Sequence, residues 1–132
     1  MSYYLQTTSA LGFDKTIETV TAALAEQGFG VLTEIDVAAT LKKKLGVDRT
    51  PYRILGACNP RFADEALQRE RNLGVLLPCN VIVRQDADGQ VTVAAVDPIV
   101  QLGKTGNDEI APLAGEVRSL LAKVLEKVGA AR

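Results

Sequence analysis

The chain has 132 residues, of which 47% are hydrophobic and 23% charged, a globular composition that excludes a disordered chain. With a net charge of −1, three Phe, three Tyr and no Trp, it lacks the basic surface and the stacking rings that nucleic-acid binding requires. It has no histidine, which excludes Ser-His-Asp and Cys-His catalysis and most zinc sites.

The sequence gives no sign of a membrane or secreted protein. No apolar run approaches the roughly 20 residues of a membrane-spanning helix, and the segment Met1-Ser2-Tyr3-Tyr4 lacks the features of a signal peptide. Two cysteines are too few for a disulfide framework. We therefore expect a cytoplasmic protein with no membrane partner, and we expect residues 1–132 to form a single domain.

The N-terminal part predicts a strand followed by a helix. Residues 3–8 have strand composition, and Ser9 is the expected cap of the helix that follows. That helix has apolar residues at helical spacing, namely Phe13, Ile17, Val20 and Leu24.

The next two predicted elements are a strand over residues 30–37 and a short helix over 38–45. Strand alternation places Val31, Thr33 and Ile35 on one face. It places Glu34 and Asp36 on the other face, which we expect to be solvated.

The C-terminal part predicts three strands and two helices. Residues 52–58 form a strand, and Asn59-Pro60 then supplies a helix cap and a proline at the first helical position. The helix has an apolar stripe (Phe62, Ala63, Ala66 and Leu67) and ends near residue 72. A hairpin joins strands over 75–83 and 91–96 through a turn at Gly89. A loop and an amphipathic helix from about 110 to 128 complete the chain.

The resulting order is β-α-β-α-β-α-β-β-α. The late hairpin favours an α+β fold with a mainly antiparallel sheet and helices packed on one face. The strand over 75–83 is apolar on both faces, while its own helices cover only one. Because soluble monomers rarely expose a large apolar face, we expect a homodimer.

Four residues form the candidate binding site: Cys58, Asn59, Cys79 and Asn80. The first ends a strand directly before a helix, and strand parity places Cys79 toward the core and Asn80 away from it. Both cysteines are interpreted either as small core residues or as reactive thiols that serve redox chemistry or a soft metal. Two thiolates make only half of a tetrahedral zinc site, so no metal or cofactor is assigned.

Three ordered blocks of sequence resemble the domain-of-unknown-function family 302. They are residues 28–37 (GFGVLTEIDV), 51–60 (PYRILGACNP) and 76–81 (LLPCNV). The resemblance implies a curved antiparallel sheet of the TATA-binding-protein-like class and association as dimers, and it assigns no activity or catalytic residue. DNA binding does not follow from the fold class.

Two function classes remain open. The first is a non-enzymatic module that binds a small molecule or a partner and acts as a homodimer. The second is a thiol-based redox or soft-metal protein that uses Cys58 and Cys79. The lack of a complete catalytic set favours the first class, and no catalytic residue is assigned.

Overall fold

Five strands form one antiparallel sheet in the computed structural model, which describes residues 2–132. Their order across the sheet is β1-β5-β4-β3-β2, and every neighbouring pair is antiparallel. The strands are β1 (Tyr4–Ser9), β2 (Gly30–Asp36), β3 (Tyr52–Cys58), β4 (Cys79–Gln85) and β5 (Val91–Val96). The α+β class and the antiparallel sheet predicted from the sequence are confirmed.

In the part of the chain that the structure describes, five α-helices and one 3-10 helix connect or follow these strands. The α-helices are α1 (Phe13–Glu26), α2 (Val37–Leu45), α3 (Pro60–Arg69), α4 (Pro98–Gly103) and α5 (Ala111–Ala130). The 3-10 helix spans Arg71–Leu76. Helices α1 and α5 pack on one face of the sheet, which we call the inner face, and we call the opposite face the open face.

The larger of two apolar clusters lies between the inner face and helices α1 and α5. Its strand residues alternate with residues on the open face, as a pleated sheet requires, and they include Leu55, Val81, Val83, Val93 and Ala95. Helix α5 contributes residues that recur every three or four positions along one stripe: Val117, Leu121, Val124 and Val128.

A second, smaller cluster lies beside the first. It joins α3, the 3-10 helix, α4 and the start of α5, through Ala66, Leu73, Leu102, Ile110, Leu113 and Ala114. Because α5 contributes Leu113 to this cluster and Val117 to the larger one, a single turn of α5 connects the two.

The predicted start of α1 is wrong. Ser9 is the last residue of β1, and the residue before the helix is Gly12. The Ser9 hydroxyl accepts a hydrogen bond from the Leu11 amide at 3.1 Å and lies 2.7 Å from the Thr16 hydroxyl. It therefore orders the turn that precedes the helix instead of capping the helix.

The element boundaries also differ on both sides of the hairpin. The predicted strand over 75–83 begins only at Cys79. Pro78 precedes it and has no N–H to donate to a sheet ladder. The predicted loop after β5 contains α4, in which Asp97 accepts a hydrogen bond from the Ile99 amide at 2.9 Å. An Asp at the N-cap followed by a Pro at the first helical position is typical of a helix start, so the pair Asp97-Pro98 indicates α4 in the sequence.

An irregularity in β2 changes which residues share a face. Val31 pairs with Ala57 and Thr33 pairs with Gly56, so Leu32 is an extra residue, as in a β-bulge. Residues 31 and 33 consequently lie on opposite faces, which corrects the alternation expected from the sequence.

The same irregularity moves Glu34 and Asp36 to the inner face, at its edge. Arg53 lies between them, with Nη1 2.6 Å from Glu34 Oε1 and Nε 3.3 Å from Asp36 Oδ2. The Arg53 guanidinium also lies 5.9 Å from the centre of the Phe13 ring. The hydrogen bond with Glu34 is the main cause of the raised pKa of Arg53. Because both carboxylates are paired with Arg53, we interpret Glu34 and Asp36 as residues that stabilise the fold.

Gly56 of β3 lies against Thr33 of β2 and against Pro78, the residue before β4. A Cβ at this position would clash with the Thr33 hydroxyl and would lie 2.8 Å from Pro78 Cγ. We expect Gly56→Ala to lower the free energy of unfolding by about 1–3 kcal/mol through overpacking. Gly30→Ala is the matched control, because a Cβ there meets nothing within 4 Å. Equal denaturant midpoints for the two variants would contradict this packing.

Candidate functional site

Helix α3 packs against the 3-10 helix and α5 and does not lie flat on the sheet. Its apolar stripe therefore faces a space at the end of the sheet where β3 finishes and β4 begins. The cavity in that space has a volume of about 330 Å³. It lies at the junction of the two apolar clusters, since Ala57 and Val117 of the larger cluster and Leu73 and Leu113 of the smaller one line it.

The walls of this cavity are almost entirely apolar. Phe29 and Phe62 supply aromatic surface, and the remaining apolar side chains are mainly leucine and alanine. Within residues 2–132, the polar side chains on the wall are a threonine, an asparagine and two cysteines, namely Thr33, Asn59, Cys58 and Cys79. This combination of apolar walls and few polar groups is typical of pockets that bind small molecules.

Three of the four candidate residues from the sequence line this cavity. Cys58 is the last residue of β3, Asn59 follows it, and Cys79 is the first residue of β4. Asn80 lies on the open face, where it pairs with Gly56 and lines a separate groove. The structure thus brings Cys58, Asn59 and Cys79 together and separates Asn80 from them.

Burial raises the pKa of the Cys79 thiol to about 11, and the charge of Cys58 adds to this shift. The thiol of Cys79 is therefore neutral at physiological pH. Both cysteines are free thiols, and each is partly buried. The coupling between them follows from their positions on the wall of the same cavity.

Asn59 does not cap α3, contrary to the expectation from Asn59-Pro60. Its side chain makes no hydrogen bond to the first turn of that helix. Instead, Asn59 Nδ2 donates to the Gln27 carbonyl oxygen at 3.3 Å, at the end of α1. Gly28 adopts a φ of +86° beside it, and a Cβ there would lie 3.2 Å from Asn59 Nδ2. Asn59 therefore ties the end of α1 to the cavity wall.

Sequence reasoning missed most of the apolar lining. It identified Phe62, Ala63, Ala66 and Leu67 as the stripe of a helix, and such a stripe ordinarily packs directly on a sheet. The sequence does not show that a leucine lines a cavity, because its pattern is the same as that of a leucine packed in a core. This applies to Leu73, Leu77 and Leu113.

The open face carries a groove of about 510 Å³. A cross-strand row of apolar residues runs through Ile35, Ile54, Ile82 and Ala94, which pair with one another on adjacent strands. Ile35 is 47% exposed. Arg84 is the one charged residue that the strands of the described chain place on this face, and it forms an ion pair with Asp86.

Within residues 2–132, no three His, Cys, Asp or Glu side chains are grouped so that they could hold a metal ion. In the same range, every helix is too short or too polar to cross a membrane.

Comparisons of the sequence and of the fold with known proteins both find similarity to one family. Residues 5–128 match the family model described as domain of unknown function DUF302. The fold is similar to a crystal structure of an uncharacterized conserved protein DUF302 from Bacillus stearothermophilus, with a TM-score of 0.90 and 29% sequence identity. The alignment covers 97% of this chain and 99% of the other. No curated protein matches the chain.

The two thiols should differ in their reaction with iodoacetamide. We expect Cys58 to be alkylated first in native protein, and Cys79 to react only as the pH approaches about 11, because the thiolate is the nucleophile. Mass spectrometry of samples labelled across this pH range locates the adducts, and Cys58→Ser is the control that leaves only the slow site. Resistance of both cysteines until the protein unfolds would identify them as inert core residues.

Proposed function

We propose that this chain, which belongs to the DUF302 family of domains of unknown function, is a non-enzymatic module that binds a small apolar molecule. The observation that carries the proposal is the cavity of about 330 Å³ beneath α3. Its volume falls at the lower end of the range found for ligand pockets, roughly 300–1,000 Å³.

The cavity volume sets the size of the ligand. An apolar cavity of about 150 Å³ holds benzene, so this cavity accommodates a body of roughly a dozen carbon atoms. The threonine hydroxyl and the amide on the wall, Thr33 and Asn59, are suited to one polar group on the ligand. A medium-length aliphatic chain or a two-ring aromatic compound with a single polar end meets these requirements.

Ligand binding is tested with 1-octanol, an uncharged probe that fits within this volume. Each buried methylene contributes about 0.8 kcal/mol, so we expect saturable binding below millimolar concentration. In a ¹H–¹⁵N NMR titration, shifts should concentrate on the cavity-lining residues. Ala63→Phe places a ring in the cavity and should abolish binding.

The matched control is Ala22→Phe, which adds the same ring at an exposed position of α1. This variant should bind 1-octanol like the parent protein. The proposal fails if octanol does not bind the parent, or if both variants bind it equally well.

We also propose that the protein is a homodimer and that the open faces of two copies pack together. Burying the row that contains Ile35, Ile54 and Ile82 against a second copy would remove these side chains from water. Sheets that pack face to face form such an interface with strands nearly aligned.

Charge supports a second copy as the occupant of the open face. Two identical surfaces meet at such an interface, so an unpaired charge near its centre would face its own copy. Arg84 is paired with Asp86, and the other strand residues of this face within the described chain are uncharged. The surface is therefore compatible with itself.

Dimerisation is tested by sedimentation equilibrium at micromolar concentration. The chain has a mass of 14.1 kDa, and we expect a species of twice this mass. Ile82→Glu should give the monomer, because it places a carboxylate in the middle of the proposed interface. Ala22→Glu, on the far side of the molecule, should remain dimeric. A parent protein that sediments only as the monomer contradicts the proposal.

The second candidate function is a thiol-based redox or soft-metal protein. The position of Cys58 and Cys79 on one cavity wall favours it, and thiolates are the ligands that soft metals prefer. The raised pKa of Cys79 weighs against it, because both roles require the thiolate.

We also propose a cytoplasmic location, which the free state of both thiols supports.

A further inference from the structure

The cavity walls carry a single type of nucleophile. Apart from Cys58 and Cys79, the lining residues are apolar or are the poorly nucleophilic Thr33 and Asn59. A hydroxyl becomes a nucleophile only beside a general base, and no carboxylate or amine from residues 2–132 lines the cavity. Covalent chemistry on a bound ligand would therefore have to be thiol chemistry.

We propose that the ligand of this cavity carries a soft electrophilic carbon, such as the β-carbon of an α,β-unsaturated carbonyl, and that Cys58 captures it. The proposal rests on the proposed function, since the cavity must first bind the apolar part of the molecule. In the step, the Cys58 thiolate forms an S–C bond to the β-carbon as the C=C π bond breaks. The π electron pair moves to the α-carbon, which then takes a proton from solvent. This uptake balances the proton that the Cys58 thiol released when it became a thiolate.

The geometry selects Cys58 over Cys79 for this step. Cys58 is the last residue of β3 and directly precedes α3, whereas Cys79 packs against the larger apolar cluster. Cys79 remains a neutral thiol up to about pH 11, and a neutral thiol is a poor nucleophile. One adduct per chain, at Cys58, is the expected product.

The apolar walls give the reaction its selectivity. A hydrophobic electrophile is held beside Cys58 by the same contacts that bind the ligand, which raises its local concentration at the sulfur. A hydrophilic electrophile of equal intrinsic reactivity gains nothing from those walls. The rate at Cys58 should therefore depend on the apolar part of the reagent.

Two maleimides test this dependence on the native protein. N-Phenylmaleimide and N-(2-hydroxyethyl)maleimide share one reactive group. For each reagent, the rate at Cys58 is divided by its rate with N-acetylcysteine, and the corrected ratio is the phenyl value over the hydroxyethyl value. We expect this corrected ratio to be about ten or more. Added 1-octanol should slow the phenyl reagent more than the hydroxyethyl reagent, because only the phenyl reagent gains from the apolar walls. Ala63→Phe should remove the preference, and Ala22→Phe should keep it.

The possible results separate this inference from the proposed function. If octanol binds but the corrected ratio stays near one, or if the adduct forms on Cys79, the capture step is wrong and ligand binding stands. If octanol does not bind, the proposed function fails and the capture proposal fails with it. Cys58→Ser should eliminate the adduct, and an adduct that still forms in this variant would contradict the capture step.

Discussion

Helix α5 holds the two halves of the core together, because its 20 residues contribute to both apolar clusters. From Val117 onward its stripe closes the inner face of the sheet, while Leu113 and Ala114 hold α4 and the 3-10 helix. Helix α3 is in turn held by the 3-10 helix and α5. The cavity is the space left under α3, and Leu113 and Val117 form the part of its wall where the two clusters meet.

Much of this arrangement could be predicted from the sequence, for reasons that lie in local chemistry. The hairpin around Gly89 and the amphipathic spacing of α5 are set by neighbouring residues, and both predictions are confirmed. The predicted start of β4 is wrong because Val75 and Leu77 are as apolar as the strand residues that follow, whereas Pro78 marks the actual boundary. The extra residue at Leu32 depends on pairing with β3, so no local pattern reveals it.

The candidate site was predictable only in part. Cys58, Asn59 and Cys79 do lie together, but the role expected for Asn59 was wrong, because its amide bonds to Gln27, a residue far away in the sequence. The cavity could not be predicted from any local sequence pattern, because it results from the distance between α3 and the sheet. An apolar stripe indicates that a helix buries one face, and it does not indicate how closely that face is packed.

Diffraction from a crystal held under xenon would show whether the space beneath α3 is a dry apolar cavity, because xenon occupies such cavities without needing a specific hydrogen bond. We expect a xenon peak between Phe62 and Leu113, beneath α3. We also expect the peak to be absent in Ala63→Phe. A structure in which α3 closes onto Ala57 and Cys79, with no xenon between them, would contradict this expectation.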